Sequence, residues 1–241
     1  MTPYYEDDMV AIYHGDCREI MPGLSYDVIV TDPPYGTGHY ETDTAVLTPD
    51  MARQWVDAGP VAIFGYPERM VELCVSAGIT PSEWVTWWAS NAACKGFNVS
   101  GLWKETEVVA IFGEHRMAGV RIARSGKSQG IATTNYEGPT TRLVGNERTV
   151  KTRRAGDVWI DAAPGLAFNA KHRKHPNEKP VALMSRLISG MPPGVILDPF
   201  VGSGTTLVAA RDAGRRCIGI ELVEAHCETA ASRFTQGVLA L

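Results

Sequence analysis

Val195-Ile-Leu-Asp-Pro-Phe-Val-Gly-Ser-Gly-Thr-Thr206 decides the fold. A short apolar run enters Asp-Pro, a Gly-x-Gly turn follows, and a helix-forming stretch opens at Thr205. Glycines there let the backbone approach a ligand closely, and the start of the helix offers it unpaired N–H groups. The turn lacks the Gly-Lys-Ser/Thr ending of a P-loop, no third glycine follows at dinucleotide-fold spacing, and no basic residue cradles a pyrophosphate. These features leave a nucleoside without phosphates, against the plainer alternative of glycines needed only for packing. The next apolar run, Cys217-Ile-Gly-Ile220, ends in Glu221, a carboxylate able to accept hydrogen bonds from a ribose diol at the switch-point edge of a sheet.

Working outward, five more apolar runs read as strands: Val10-Ala-Ile-Tyr13, Asp27-Val-Ile-Val-Thr31, Val61-Ala-Ile-Phe64, Glu83-Trp-Val-Thr-Trp-Trp88 and Glu107-Val-Val-Ala-Ile-Phe112. Helical stretches are read near 49–58, 67–77, 180–189, 205–213 and 225–234, with Thr48-Pro49 and Gly78 as boundary signals. Strands alternating with helices predict an α/β fold with a mostly parallel sheet covered on both faces. Residues 115 to 170 change character: Gly, Ser, Thr and Arg dominate and no period is sustained. The expected organisation is a half-domain at 1–114, a lobe at 115–170 and a second half-domain at 171–241.

Asp32-Pro-Pro-Tyr35, just past the second of those strands, is the most specific tetrapeptide in the chain. Two prolines fix φ and remove donors, so the turn's carbonyls remain as acceptors beside the Asp32 carboxylate. That array suits an exocyclic aromatic amine: accepting from its N–H groups favours a more tetrahedral nitrogen whose electron density is aimed at an incoming methyl group. Tyr35 can stack on a base plane, which is worth about 1–3 kcal/mol per base. A plain strand-ending turn is the alternative.

Together these segments resemble the DNA amino-methyltransferase family, and their order resembles its permuted subgroup, in which the catalytic motif precedes the cofactor motif. Asp32-Pro-Pro-Tyr35 is similar to the catalytic motif, Asp198-Pro-Phe-Val-Gly-Ser-Gly-Thr205 to the cofactor loop, and His175-Pro-Asn-Glu-Lys-Pro180 to the segment before that loop. The resemblance implies a Rossmann-like methyltransferase fold of seven strands, one of them antiparallel, with a small target-recognition lobe. It implies S-adenosylmethionine as cofactor and catalytic roles for Asp32, Pro33, Pro34 and Tyr35. Asp16, with Cys17 beside it, would face the cofactor's adenine and Glu221 its ribose, while Phe200 and the Gly202 and Gly204 backbone would line its pocket. Asp32, Asp198, Ser203 and Thr205 belong to the same matched loops, and Lys179 would either position the methionine end or cap a helix. Relatives of this kind are often homodimers, and nothing in the chain identifies a restriction endonuclease partner.

The chain has 241 residues and a net charge of −4, but the charge is uneven. Residues 115 to 175 hold twelve Lys and Arg against four acidic residues, +8, leaving eleven against twenty-three, −12, elsewhere. Such asymmetry predicts a polyanion-binding face, with Arg153, Arg154, Lys171, Arg173 and Lys174 on the phosphates of double-stranded DNA. Five scattered cysteines without a Cys-x-x-Cys pair read as reduced, buried thiols, and no metal-ligand spacing is present. No stretch approaches the roughly 18 apolar residues of a membrane span. Met1-Thr-Pro-Tyr-Tyr-Glu-Asp-Asp8 lacks the features of a signal peptide, which predicts a cytoplasmic location. Trp84, Trp87 and Trp88 read as core packing and His14 as structural or solvated, while nothing marks His175 as a base. The expected activity is methylation of adenine N6, with cytosine N4 as the runner-up because the same hydrogen-bond logic fits that amine. A catalytically idle DNA-binding module is the alternative of a different class, and the intact Asp32 and glycine loop weigh against it.

Overall fold

The computed structural model describes residues 2–34, 47–88, 106–117, 121–123, 152–154, 158–160 and 179–235. In chain order the strands are β1 (Tyr5–Glu6), β2 (Val10–His14), β3 (Val28–Thr31), β4 (Val61–Gly65), β5 (Glu83–Trp88), β6 (Thr106–Phe112), β7 (Arg121–Ala123), β8 (Thr152–Arg154), β9 (Val158–Ile160), β10 (Ile196–Asp198) and β11 (Cys217–Glu221). The helices are α1 (Cys17–Ile20), α2 (Pro49–Ala58), α3 (Pro67–Ala77), α4 (Val181–Gly190), α5 (Thr205–Asp212) and α6 (Glu224–Thr235). None of the described helices is long and apolar enough to cross a membrane.

The main sheet has the order β1-β2-β11-β10-β3-β4-β6-β5-β9. β2, β11, β10, β3 and β4 run parallel, and β6 lies antiparallel to both β4 and β5. The seven strands read from the sequence, with one antiparallel member, form its body. Among the described residues the sheet nevertheless has nine strands, and two of them, β1 and β6, run against the rest. β1 spans two residues and β9 three, too short for either to leave a period in the sequence. β9 lies within the segment read as a lobe, yet it pairs in parallel with β5, Trp87 opposite Trp159. Inside the same segment β7 and β8 form a separate two-stranded ribbon.

Strand periodicity explains the layers. Along β3, Val28 and Val30 enter one core cluster with residues of α4, α5 and α6, whereas Ile29 enters a second with residues of α1, α2 and α3. All residues of β3 and β4 are buried, as expected of strands covered on both faces. This layering positions the site. β10 and β3 are neighbours ending at the same edge, but the chain leaves β10 toward α5 on one face and β3 toward α2 on the other. Divergence of adjacent connections opens a crevice at the switch point of an α/β sheet.

Candidate active site

Two Asp-Pro dipeptides stand at that crevice, one after β3 and one at the end of β10. The Asp198 side chain is 1% exposed. Its Oδ1 accepts from the Thr31 hydroxyl at 2.8 Å and from the Phe200 amide at 3.1 Å, tying the end of β3 to the start of the glycine loop. Burial pushes its carboxyl up to about 6, against hydrogen bonds from Thr206, Thr31 and Phe200 that favour the charged form. Asp198 therefore shapes the loop from beneath.

Asp32 keeps 23% of its side chain exposed and meets a cation: Lys179 Nζ donates to its Oδ2 at 2.6 Å. The ammonium also lies 3.0 Å from Glu107 Oε2 and 5.5 and 5.9 Å from the ring centroids of Phe64 and Trp87. Burial opposes the charge on Lys179, but the two carboxylates prevail and hold its pKa above the ordinary lysine value. The N-cap of α4 is Pro180, and the Lys179 ammonium turns to the two carboxylates instead of capping that helix. Pro33 is buried and Pro34 half-buried. Tyr35 lies outside the described residues.

The cofactor loop divides its two glycines by task. Gly202 has φ 53°, and a Cβ built on it meets nothing within 4 Å, so this backbone borders open space. Gly204 has φ 82° at the N-cap of α5, and a Cβ there would stand 3.0 Å from Ala230 Cβ and 3.2 Å from its Cα. Gly204 thus also permits the close packing of α5 against α6, beside the ligand approach expected of its backbone. Glu221, at the end of β11, accepts from the Gly202 amide at 2.9 Å and the Val223 amide at 3.0 Å, one on each oxygen. Those bonds fix its carboxylate beside the open loop. Ser203 and Thr205 are buried with hydroxyls 3.2 Å apart, and Arg233 reaches Thr205 Oγ1 at 3.4 Å. The half-buried Phe200 ring lies 6.2 Å from Trp55 at 55°.

Asp16 caps α1 through the Arg18 amide and pairs with the Arg18 guanidinium, whose hydrogen bond holds the carboxyl below its usual range. Burial raises the adjacent Cys17 thiol to about 11. The loop bearing both follows β2, whose register aligns His14 with Glu221. The structure thus brings Asp16, Asp32, Lys179, Glu221 and the glycine loop to one sheet edge. The residue missed by the sequence reading is Glu107. Its signal was a carboxylate heading an otherwise apolar buried strand. Of the residues expected on DNA, Arg153 and Arg154 lie on β8, where Arg154 is the register partner of Arg121 and Arg153 that of Ile122. Lys171, Arg173 and Lys174 lie outside the described residues.

The family model for DNA methylases of the N6/N4 type matches residues 26–232. The type II methyltransferase M.ScaI of Streptomyces caespitosus is 28% identical over 96% of this chain and 83% of its own length. M.BamHI of Bacillus amyloliquefaciens, also a type II methyltransferase, is 27% identical over 97% of this chain, which spans 59% of that protein. Among solved structures, the cytosine-N4-specific PvuII DNA methyltransferase superposes with a TM-score of 0.61 at 15% identity, covering 96% of this chain and 88% of the other. M1.HpyAVI, solved as its S-adenosylmethionine complex, gives 0.56 at 21% identity over 93% of this chain and 100% of the other. The two solved structures share the fold, and with a family match running from before β3 almost to the end of α6, this chain belongs to the N6/N4 DNA methylase family.

Proposed function

We propose that the protein is an S-adenosylmethionine-dependent methyltransferase acting on adenine N6 in double-stranded DNA, with its catalytic motif preceding its cofactor loop as in the permuted subgroup. The observation that carries the reading is the placement of Asp32-Pro33-Pro34 at the crevice edge beside the glycine loop, with Asp32 held by a buried lysine. The residues fit the cofactor. Gly202 leaves the loop surface open, and Glu221 is locked by two amides with lone pairs left for a ribose diol. When bound, S-adenosylmethionine supplies an electrophilic methyl group on a sulfonium whose departure leaves a neutral thioether. The protein's part is orientation. Asp32 and the carbonyls of the proline turn accept the N–H groups of the target amine, directing its lone pair toward the donor, and the displaced proton passes to solvent. A base inside a duplex must be flipped out to reach this edge.

The charge distribution supports a polyanion partner: residues 115 to 175 carry +8 in a chain of net −4. The test is incubation of the purified protein with labelled S-adenosylmethionine and unmethylated duplex DNA, then nucleoside mass spectrometry. N6-methyladenine is the expected product. N4-methylcytosine alone would move the target to the runner-up, and the absence of any methylated nucleoside would overturn the proposal.

A further inference from the structure

Three charged groups from distant parts of the chain meet at the crevice: Asp32 after β3, Glu107 on β6 and Lys179 before α4. β4 lies between β3 and β6 in the sheet, so the lysine bridges across an intervening strand, its ammonium lying over Phe64 of that strand. The bridge is possible because β6 runs antiparallel: its first residues stand at the edge where β3 and β4 end, Val108 opposite Gly65. Exposure is 7% for the Lys179 side chain and 11% for that of Glu107. Buried ion pairs are a poor way to hold a fold together, since desolvation offsets much of their attraction. A cluster of this kind is better explained by what it holds in place.

We infer that Glu107 is a positioning residue, which acts through Lys179 to fix the Asp32 carboxylate where it meets the target amine. A lysine ammonium is a compact charge on a flexible four-carbon stem, and one carboxylate alone leaves it several rotamers. A second carboxylate 3.0 Å away and two aromatic rings within 6 Å narrow that freedom. Asp32 then faces a fixed donor on Oδ2 and cannot rotate without breaking that contact. The inference rests on the proposed methyl transfer and adds to it a residue outside the matched motifs.

The test compares Glu107→Gln, Lys179→Met and the double variant in the full-length protein, together with the nitrogen-15 signal of the Lys179 ammonium. Glu107→Gln keeps the shape of the side chain and an acceptor but loses the charge. It should lower kcat about 10-fold, with KM for DNA and for S-adenosylmethionine within about twofold, because misplacement of a reacting group acts on the chemical step. In the Lys179→Met background the same change should have little further effect on kcat, since the inferred role of Glu107 runs through the lysine. The wild-type ammonium signal should exchange slowly with water, and Glu107→Ala should abolish it. An unchanged kcat in Glu107→Gln, a loss confined to KM, or full additivity in the double variant would overturn the inference. If Lys179→Met does not fold, Glu107→Gln and the ammonium signal decide. If the wild type transfers no methyl group to any DNA, the functional reading fails by itself, and an ammonium exchanging as fast as a surface lysine would separately overturn the clamp.

Discussion

The chain places the same dipeptide, Asp-Pro, at the ends of two adjacent parallel strands and uses it in opposite ways. Asp32-Pro33 faces the crevice, and its carboxylate is paired with a cation. Asp198-Pro199 turns inward, and among the described residues its carboxylate is met by the neutral donors Thr31, Phe200 and Thr206. The first stands at the crevice edge beside the Lys179 ammonium, and the second is buried beneath the glycine loop. An Asp-Pro dipeptide after a buried strand therefore defines a turn, while the charges reaching it from other elements define its job.

Breaking the first half should have the largest effect. Asp32→Ala should reduce methyl transfer about 100-fold or more while leaving S-adenosylmethionine affinity within a few-fold, read by a labelled-methyl assay and calorimetry. The Lys179 ammonium would then lose one carboxylate partner and keep Glu107.

Breaking the second half should strike the fold. Asp198→Ala leaves the Thr31 hydroxyl and Phe200 amide without their acceptor, and each buried orphan is worth about 1–3 kcal/mol, so Tm should fall by several degrees. Asp198→Asn sharpens the point through pH. The folded carboxyl, at about 6, lies above its ordinary value of 3.8, so the folded state takes up the proton first. The stability this gives is fully present below about pH 4 and is lost as pH rises through 6. Relative to Asp198→Asn, the wild type should therefore lose on the order of 2–3 kcal/mol between pH 4 and 7, measured by urea unfolding. A flat difference would mean that the carboxyl is not raised.

The glycines of the β10 loop give the smallest expected effects and separate packing from ligand contact. Gly204→Ala places a methyl group against α6 at positive φ and should lower stability by about 1–3 kcal/mol. Gly202→Ala meets open space and should show only about 1–2 kcal/mol of backbone strain in the free protein, with its main effect on S-adenosylmethionine affinity by equilibrium dialysis. Equal losses of stability in both variants would remove the distinction.

Much of this was legible beforehand. Seven strands and five helices carry clean periods or caps, and Asp32, Glu221 and the glycine loop stand just past strand ends, where an α/β sheet exposes its working edge. The inward turn of Asp198 was not legible, because both Asp-Pro turns read alike until Thr31 and Phe200 are seen to donate to one of them. The packing role of Gly204 was not legible either, because its neighbour Ala230 is 26 residues away in sequence. Lys179 and Glu107 were separable only in three dimensions: the lysine was noticed through its motif, and the glutamate was absorbed into an apolar strand. The short edge strands β1 and β9 were missed because two or three residues cannot display alternation.

The division of labour between the two aspartates is tested most directly by exchanging one charge at a time. Asp32→Asn and Asp198→Asn are compared in single-turnover methyl transfer to duplex DNA at saturating S-adenosylmethionine, above pH 7, where the wild-type Asp198 carboxyl, at about 6, is ionised. Asp32→Asn should lose transfer by about 100-fold in protein that remains folded at the assay temperature, and Asp198→Asn should keep transfer within about threefold of the wild type. Near-normal transfer by Asp32→Asn, or a comparable loss in Asp198→Asn with its fold intact, would contradict the account.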